Sequence, residues 1–168
     1  KNKKKLFYIK IEKNKKNLGA GLSRNKGIKK ASTKYIAFLD SDDIWKKNKL
    51  KTQIAFMEKK KLMFSHTSYI IINKYNKKIS SRFAKKKITF DKLLMSCDIG
   101  LSTVMINTKF LKKNKFYFPK ISTKEDFVLW LKIIQKTKVL FGIKNNLSYY
   151  RKTKNSLSSN KYISLVNG

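Results

Sequence analysis

Three of the nine acidic residues in this chain stand within four positions, Asp40-Ser41-Asp42-Asp43. They follow directly on the apolar run Tyr35-Ile36-Ala37-Phe38-Leu39. Two unit charges about 4 Å apart repel by roughly 4 kcal/mol at an effective dielectric near 20, so clustered carboxylates need protonation, basic partners or a metal. Oxygen-only ligands favour Mg²⁺ or Mn²⁺, which makes the cluster a candidate cation site. A second acidic pair, Glu125-Asp126, opens the chain's best helical pattern, in which Phe127, Trp130, Leu131 and Ile134 fall at i, i+3, i+4, i+7. Ser122-Thr123-Lys124-Glu125 fits a capping box, with Ser122 as N-cap and Glu125 reaching back to it, and acids in a first turn also suit the macrodipole. Asp126 is not needed for that box. A carboxylate at such a loop-to-helix junction can serve as a general base.

The elements around these residues must position them. Residues 6–11 (LFYIKI) read as a strand, and residues 20–31 as a helix with Leu22, Ile28 and Ala31 available for one buried face. Residues 35–39 read as a short strand of the kind covered on both faces in a parallel sheet. The acidic cluster then falls at a carboxyl edge, where open α/β sheets bind ligands. A helix follows with Leu50, Ile54 and Met57 at i, i+4, i+7. Further strands are expected over residues 62–73, 79–83 and 101–107, with a polar turn at 74–78 and a short helix at 90–96. The last helix begins beyond Pro119, followed by strands at 139–143 and 147–151 and a polar Ser/Asn/Lys tail. Strands alternating with helices, then a more mixed half, indicate one α/β domain.

The 168-residue chain is long enough for one domain with a substantial core, and 41% hydrophobic and 12% aromatic residues mark a folding sequence rather than a disordered polycation. Its formal charge is +33, yet only Arg24, Arg82 and Arg151 among 42 basic residues are arginine. Selection for phosphate recognition would favour arginine, whose planar fork pairs with phosphate in a bidentate way. Dispersed lysine beside abundant asparagine and isoleucine points to a compositional bias. Cys97, the sole cysteine, cannot form an intrachain disulfide, which fits a reducing, cytoplasmic setting. No apolar stretch approaches the roughly 18 residues of a bilayer span. The first residue is Lys1 rather than methionine, so any targeting segment is left open. His66 has no second histidine or cysteine at ligand spacing and reads as structural or incidental.

Taken in order, Asn17-x-Gly19, Ser23-Arg24-Asn25-x-Gly27-Ile28, Ala31, the run from Tyr35 through Asp40-Ser41-Asp42-Asp43-Ile44-Trp45, Lys49-Leu50 and Gln53 closely resemble family-2 glycosyltransferases of the nucleotide-diphosphate-sugar type. Ile99-Gly100, Ser102-Thr103-Val104-Met105, Glu125-Asp126-Phe127-x-Leu129-Trp130-Leu131, Tyr150-Arg151 and Asn155-Ser156-Leu157-Ser158-Ser159-Asn160 are similar to the branch that builds bacterial cell-wall and capsular polysaccharides, including teichuronic-acid-type transferases. The resemblance implies an A-type, Rossmann-like α/β fold with a mixed sheet and flanking helices. It implies a divalent cation, Mn²⁺ or Mg²⁺, on Asp42 with Asp40 beside it, towards the metal or the ribose. Arg24 would contact the nucleotide base, and Arg151 and the serines after it the donor phosphates. Asp126 would be the base for inverting transfer from a nucleotide sugar, of the UDP-sugar class, to a saccharide or lipid-linked saccharide hydroxyl. For Asp43 a helix N-cap over residues 45–60 stays open beside a site role, as does a solvated helix arginine for Arg24. Trp130 and Leu131 are expected in the core.

The family's first strand with its Thr-Tyr-Asn-like turn, and a second strand ending in an Asp-Asp-Gly-Ser-like motif, have no counterpart in this sequence. Residues 6–11 would then be the third strand, and the expectation is one partial domain over 1–168, N-terminally truncated, poorly stable and weak as a transferase alone. Residues 1–60 would be the remaining nucleotide-sugar half, 61–152 the acceptor and catalytic half, and 153–168 a polar tail. Two other function classes compete with this reading. A basic nucleic-acid-binding module would use the +33 charge in salt-sensitive phosphate binding, but no zinc spacing or RNA-binding motif is present and the clustered acids would repel a polyanion. A membrane-surface module without catalysis would rest on lysines worth about 1 kcal/mol each near anionic lipid. Such peripheral contact with the inner face of the plasma membrane is compatible with the enzyme.

Overall fold

The computed structural model describes residues 8–153. Its elements run α1 (Gly19–Lys30), β1 (Tyr35–Ala37), β2 (Ile44–Trp45), α2 (Lys49–Lys59), β3 (Phe64–Ile72), β4 (Lys78–Arg82), β5 (Lys87–Ile88), α3 (Phe90–Met95), a 3₁₀ turn (Leu101–Thr103), β6 (Met105–Asn107), α4 (Thr108–Lys113), α5 (Glu125–Thr137) and β7 (Leu140–Arg151). A seven-stranded mixed sheet has the order β1-β6-β3-β7-β2, with β4 on β3 and β5 on β7. The β3–β7 pair is parallel, and the other pairs are antiparallel. This is the α/β mixed sheet with flanking helices that the sequence led us to expect.

Strand β7 is one element where the sequence suggests two. Its pairing with β3 jumps from Thr67↔Ile143 to Ser68↔Asn146, a bulge at the polar stretch Lys144-Asn145-Asn146 that reads as a break. The reverse error occurs at residues 101–107. Only Met105–Asn107 is strand, and Leu101–Thr103 winds into a 3₁₀ turn. Tyr8, Ile9 and Ile11 lie outside any strand and are exposed, so the described part of the expected first strand is absent. The rest of that strand and the Asn155–Asn160 block lie outside the described residues. Among the described residues strand β1 pairs only with β6, antiparallel, and all three of its residues are half-buried rather than enclosed in a parallel sheet.

Helix α5 buries Leu129, Trp130, Ile133 and Ile134, one position round from the expected stripe, leaving Phe127 and Leu131 half-buried. Trp130 is fully enclosed, its ring 5.2 Å from Phe64 and 6.3 Å from Phe118. This packing anchors the helix from which Asp126 projects. Helix α2 departs further from expectation. It turns Lys49, Gln53 and Met57 inward at i, i+4, i+8 and leaves Leu50 exposed, because a polar network beneath the site claims that face. No helix among the described residues is long and apolar enough to cross a membrane.

Candidate active site

The acidic cluster forms a turn after β1, closed by the Asp43 N–H donating to the Asp40 carbonyl at 3.1 Å. Each of its acids has a different environment. Asp40 Oδ1 accepts from Arg24 Nη2 at 2.6 Å, and its N–H donates to Ser102 Oγ at 3.0 Å. Asp43 is not a helix cap: Asn48 precedes α2, and Asp43 Oδ1 instead accepts the Arg151 N–H at 2.9 Å. Burial pushes the Asp43 carboxyl above its usual range, opposed by hydrogen bonds from Ser102 and the Arg151 N–H. Asp42 is exposed, and its carboxylate accepts no hydrogen bond among the described residues.

Arg151 clamps the turn from the other side. Its Nε donates to the Asp42 carbonyl at 2.9 Å, and its Nη1 to the Asn73 carbonyl at 3.2 Å and Asn76 Oδ1 at 2.8 Å. Beneath the turn, Trp45 Nε1 donates to the Ser102 carbonyl at 2.7 Å. Lys49 Nζ lies 4.3 Å from the Trp45 ring centroid and donates to Gln53 Oε1 at 2.8 Å. Gln53 Nε2 donates to Ser65 and to the Thr103 carbonyl. With no carboxylate partner among the described residues, buried Lys49 has its pKa pushed down to about 7 by desolvation.

Glu125 and Asp126 open α5, but no capping box forms. The residue before the helix is Lys124, left-handed at φ 59°, with no side-chain cap. Glu125 Oε1 instead accepts from Arg24 Nη1 at 2.7 Å. One guanidinium therefore ties the acidic turn to the start of α5. Gly21 makes room for this: a Cβ there would lie 3.1 Å from Glu125 Cγ and 3.2 Å from Phe118 Cβ. Asp126 is half-buried, and Oδ1 accepts the Phe127 N–H at 2.7 Å. Burial foremost, then the Glu125 charge, raise its carboxyl pKa, while the Phe127 N–H and Arg24 pull it down.

The structure thus brings Arg24, Asp40, Asp42, Arg151 and Glu125-Asp126 into one connected constellation. Arg24 is an internal bridge rather than a solvated helix arginine. Sequence reasoning gave no role to Ser102 and assigned Glu125 to capping; the signal for Ser102 was a hydroxyl pair, Ser102-Thr103, inside an apolar run. His66 is enclosed, both ring nitrogens lack a hydrogen-bond partner among the described residues, and burial pushes its pKa down to about 4. It packs as a neutral side chain. Two surface hollows, lined by Ala31, Ser32, Lys34 and Lys112 and by Leu18, Gly21, Pro119 and Ser122 among others, contain no acidic residue.

No group of three or more His, Cys, Asp or Glu side chains that could hold a metal occurs among the described residues. A self-contained metal cage is therefore not what the turn offers. Mg²⁺-type cations are usually held by one or two carboxylates together with substrate phosphates, and the unengaged Asp42 carboxylate suits that arrangement.

The fold is that of the A-type glycosyltransferases: the crystal structure of S. aureus TarS 1-349 in complex with UDP-GlcNAc matches with a TM-score of 0.68 at 21% identity, over 91% of this chain and 45% of that one. Residues 3–118 match glycosyl transferase family 2, and the chain belongs to that family. A Bacillus subtilis (strain 168) glycosyltransferase named for teichuronic acid biosynthesis, TuaG, is 37% identical over 87% of this chain and 58% of its own length. The Escherichia coli UDP-Glc:alpha-D-GlcNAc-diphosphoundecaprenol beta-1,3-glucosyltransferase WfgD is 43% identical over 92% of this chain and 60% of its own length. The chain therefore spans about three fifths of these relatives.

Proposed function

We propose that this chain carries the reacting centre of an inverting, cation-assisted transfer of a sugar from a nucleotide-diphosphate sugar to a hydroxyl acceptor in cell-surface polysaccharide synthesis. The observation that carries this is the Arg24 bridge, which joins Asp40 at 2.6 Å and Glu125 at 2.7 Å and so unites two acidic groups far apart in sequence. Residues up to about 60 supply the donor side and residues 61–152 the acceptor side. A UDP-sugar is the donor class named for WfgD and bound in the TarS structure, and a lipid-linked saccharide is the acceptor class named for WfgD. Both support the same classes here, with the lysine-rich surface available for peripheral contact with an anionic membrane.

Asp126 takes the proton of the acceptor hydroxyl as that oxygen bonds to the anomeric carbon. The bond from that carbon to the diphosphate oxygen breaks with its electron pair leaving on the diphosphate, and the anomeric configuration inverts. Such general-base assistance is typically worth about 10² to 10⁴ in rate. Asp42 would hold the divalent cation, joined by Asp40 on exchange of its Arg24 partner, and the chemistry supplied there is Lewis-acid neutralisation of the leaving diphosphate. Arg24, once exchanged, would contact the nucleotide base, and Arg151 the donor phosphates.

Calorimetry with UDP and Mn²⁺ tests this reading. Binding that disappears with EDTA and in Asp42→Ala is expected. Binding to any polyanion, lost with salt and indifferent to Asp42→Ala, overturns it in favour of a nucleic-acid-binding module.

A further inference from the structure

The acidic turn is held in place by a residue remote from it in sequence. Ser102 is 4% exposed, and its hydroxyl oxygen accepts the Asp40 N–H at 3.0 Å. The carbonyl of the same residue accepts Trp45 Nε1 at 2.7 Å and Ser148 Oγ at 3.2 Å. One buried serine thus joins the first residue of the turn, the strand that leaves it and β7. Asp42, between Asp40 and Asp43, has a carboxylate that accepts no hydrogen bond among the described residues.

We propose that Ser102 is the positioning residue of the donor site, fixing the turn so that the Asp42 carboxylate is presented to a cation bridging a nucleoside diphosphate. This rests on the transferase reading above and adds that the turn is ordered before the ligand arrives. Binding to a pre-ordered turn avoids the cost of fixing it at that moment. Alanine at 102 removes the hydroxyl that accepts the Asp40 N–H but no backbone group, whereas threonine retains a hydroxyl. Ser68 supplies a matched comparison: it is fully buried, its hydroxyl accepts the Ala84 N–H at 2.8 Å, and it makes no contact with the turn.

The test is calorimetric titration of the 168-residue chain with UDP in Mn²⁺, with amide hydrogen exchange of Asp40 recorded alongside. Ser102→Ala is expected to weaken binding about tenfold, the equivalent of one net hydrogen bond, and to speed exchange at Asp40. Ser102→Thr is expected to restore both, and Ser68→Ala to change neither. Should Ser102→Ala fail to fold, Trp45→Phe removes the N–H given to the Ser102 carbonyl while keeping an aromatic ring beside Lys49, and is expected to weaken binding about threefold. Ser102→Ala, or Trp45→Phe in its place, binding within twofold of the parent overturns the proposal, as does an equal loss in Ser68→Ala. A parent chain that binds no UDP with Mn²⁺ overturns the transferase reading itself, a result distinct from either of those.

Discussion

The turn at residues 40–43 receives hydrogen bonds from Arg24 in α1 and Arg151 in β7 and gives one to Ser102 in the 3₁₀ turn. Glu125 and Asp126 stand instead at the head of a helix fixed by Leu129, Trp130, Ile133 and Ile134 in the core. The same side-chain chemistry is positioned in one place by polar bonds from distant segments and in the other by local apolar packing. The difference matches what each is asked to do. A cation-binding turn must present open oxygens, so its framework lies behind it in hydrogen bonds. A base must sit in partly dry surroundings that raise its pKa, and a helix end packed on the core provides them. Among the described residues, Arg24 is the side chain that pairs with both.

The largest effect should come from the helix side alone. Asp126→Asn is expected to lower transfer about 10² to 10⁴-fold while leaving UDP–Mn²⁺ binding unchanged, as read by single-turnover rates beside calorimetry. Asp126 must be ionised to accept a proton, and burial raises its pKa. The rate should therefore climb with pH through a value above the ordinary 3.8 of an aspartate. A flat profile would show that the two acidic groups do not divide the work in this way.

Lys49 tests the polar framework behind the turn. Its folded pKa of about 7 lies below the ordinary 10.5, so between those values the unfolded chain binds more protons than the folded one. Stability should rise with pH across that window, with the burial penalty fully present below about 7. Lys49→Met should remove that slope and leave the protein at pH 6 as stable or more so. Urea unfolding at pH 6 and pH 9.5 reads this directly. A smaller effect is expected at the bridge. Arg24→Met leaves the Asp40 and Glu125 carboxylates unpaired, and a double-mutant cycle with Glu125→Gln should report a coupling of about 1 to 2 kcal/mol. A coupling near zero would mean the two regions are independent.

The two regions also differed in how far the sequence exposed them. The α5 stripe was legible because a 3.6-residue period survives in Trp130 and Ile134, though the buried face sits one position round. The acidic turn was legible as a cluster after an apolar run. Its supports were not, since Arg24, Ser102 and Arg151 reach it only through tertiary structure. Glu125 shows the limit sharply: Ser122 to Glu125 satisfies a local capping pattern, yet a left-handed Lys124 and the Arg24 partner override it. On α2, apolar periodicity pointed to Leu50 and Ile54, whereas the structure buries Lys49 and Gln53 because their polar ends find Trp45, Ser65 and Thr103. Helix α4 was missed although Asn107 caps it by accepting the Phe110 N–H at 2.9 Å, for six residues rich in lysine give no apolar period.

The central claim, that the acidic turn binds the donor and Asp126 serves the acceptor, meets its most direct test in one paired titration. UDP is titrated in Mn²⁺ into the parent chain, Asp42→Ala and Asp126→Asn. The expected result is binding lost at least about tenfold in Asp42→Ala and kept within about twofold in Asp126→Asn. Equal affinity in the parent and Asp42→Ala would contradict it.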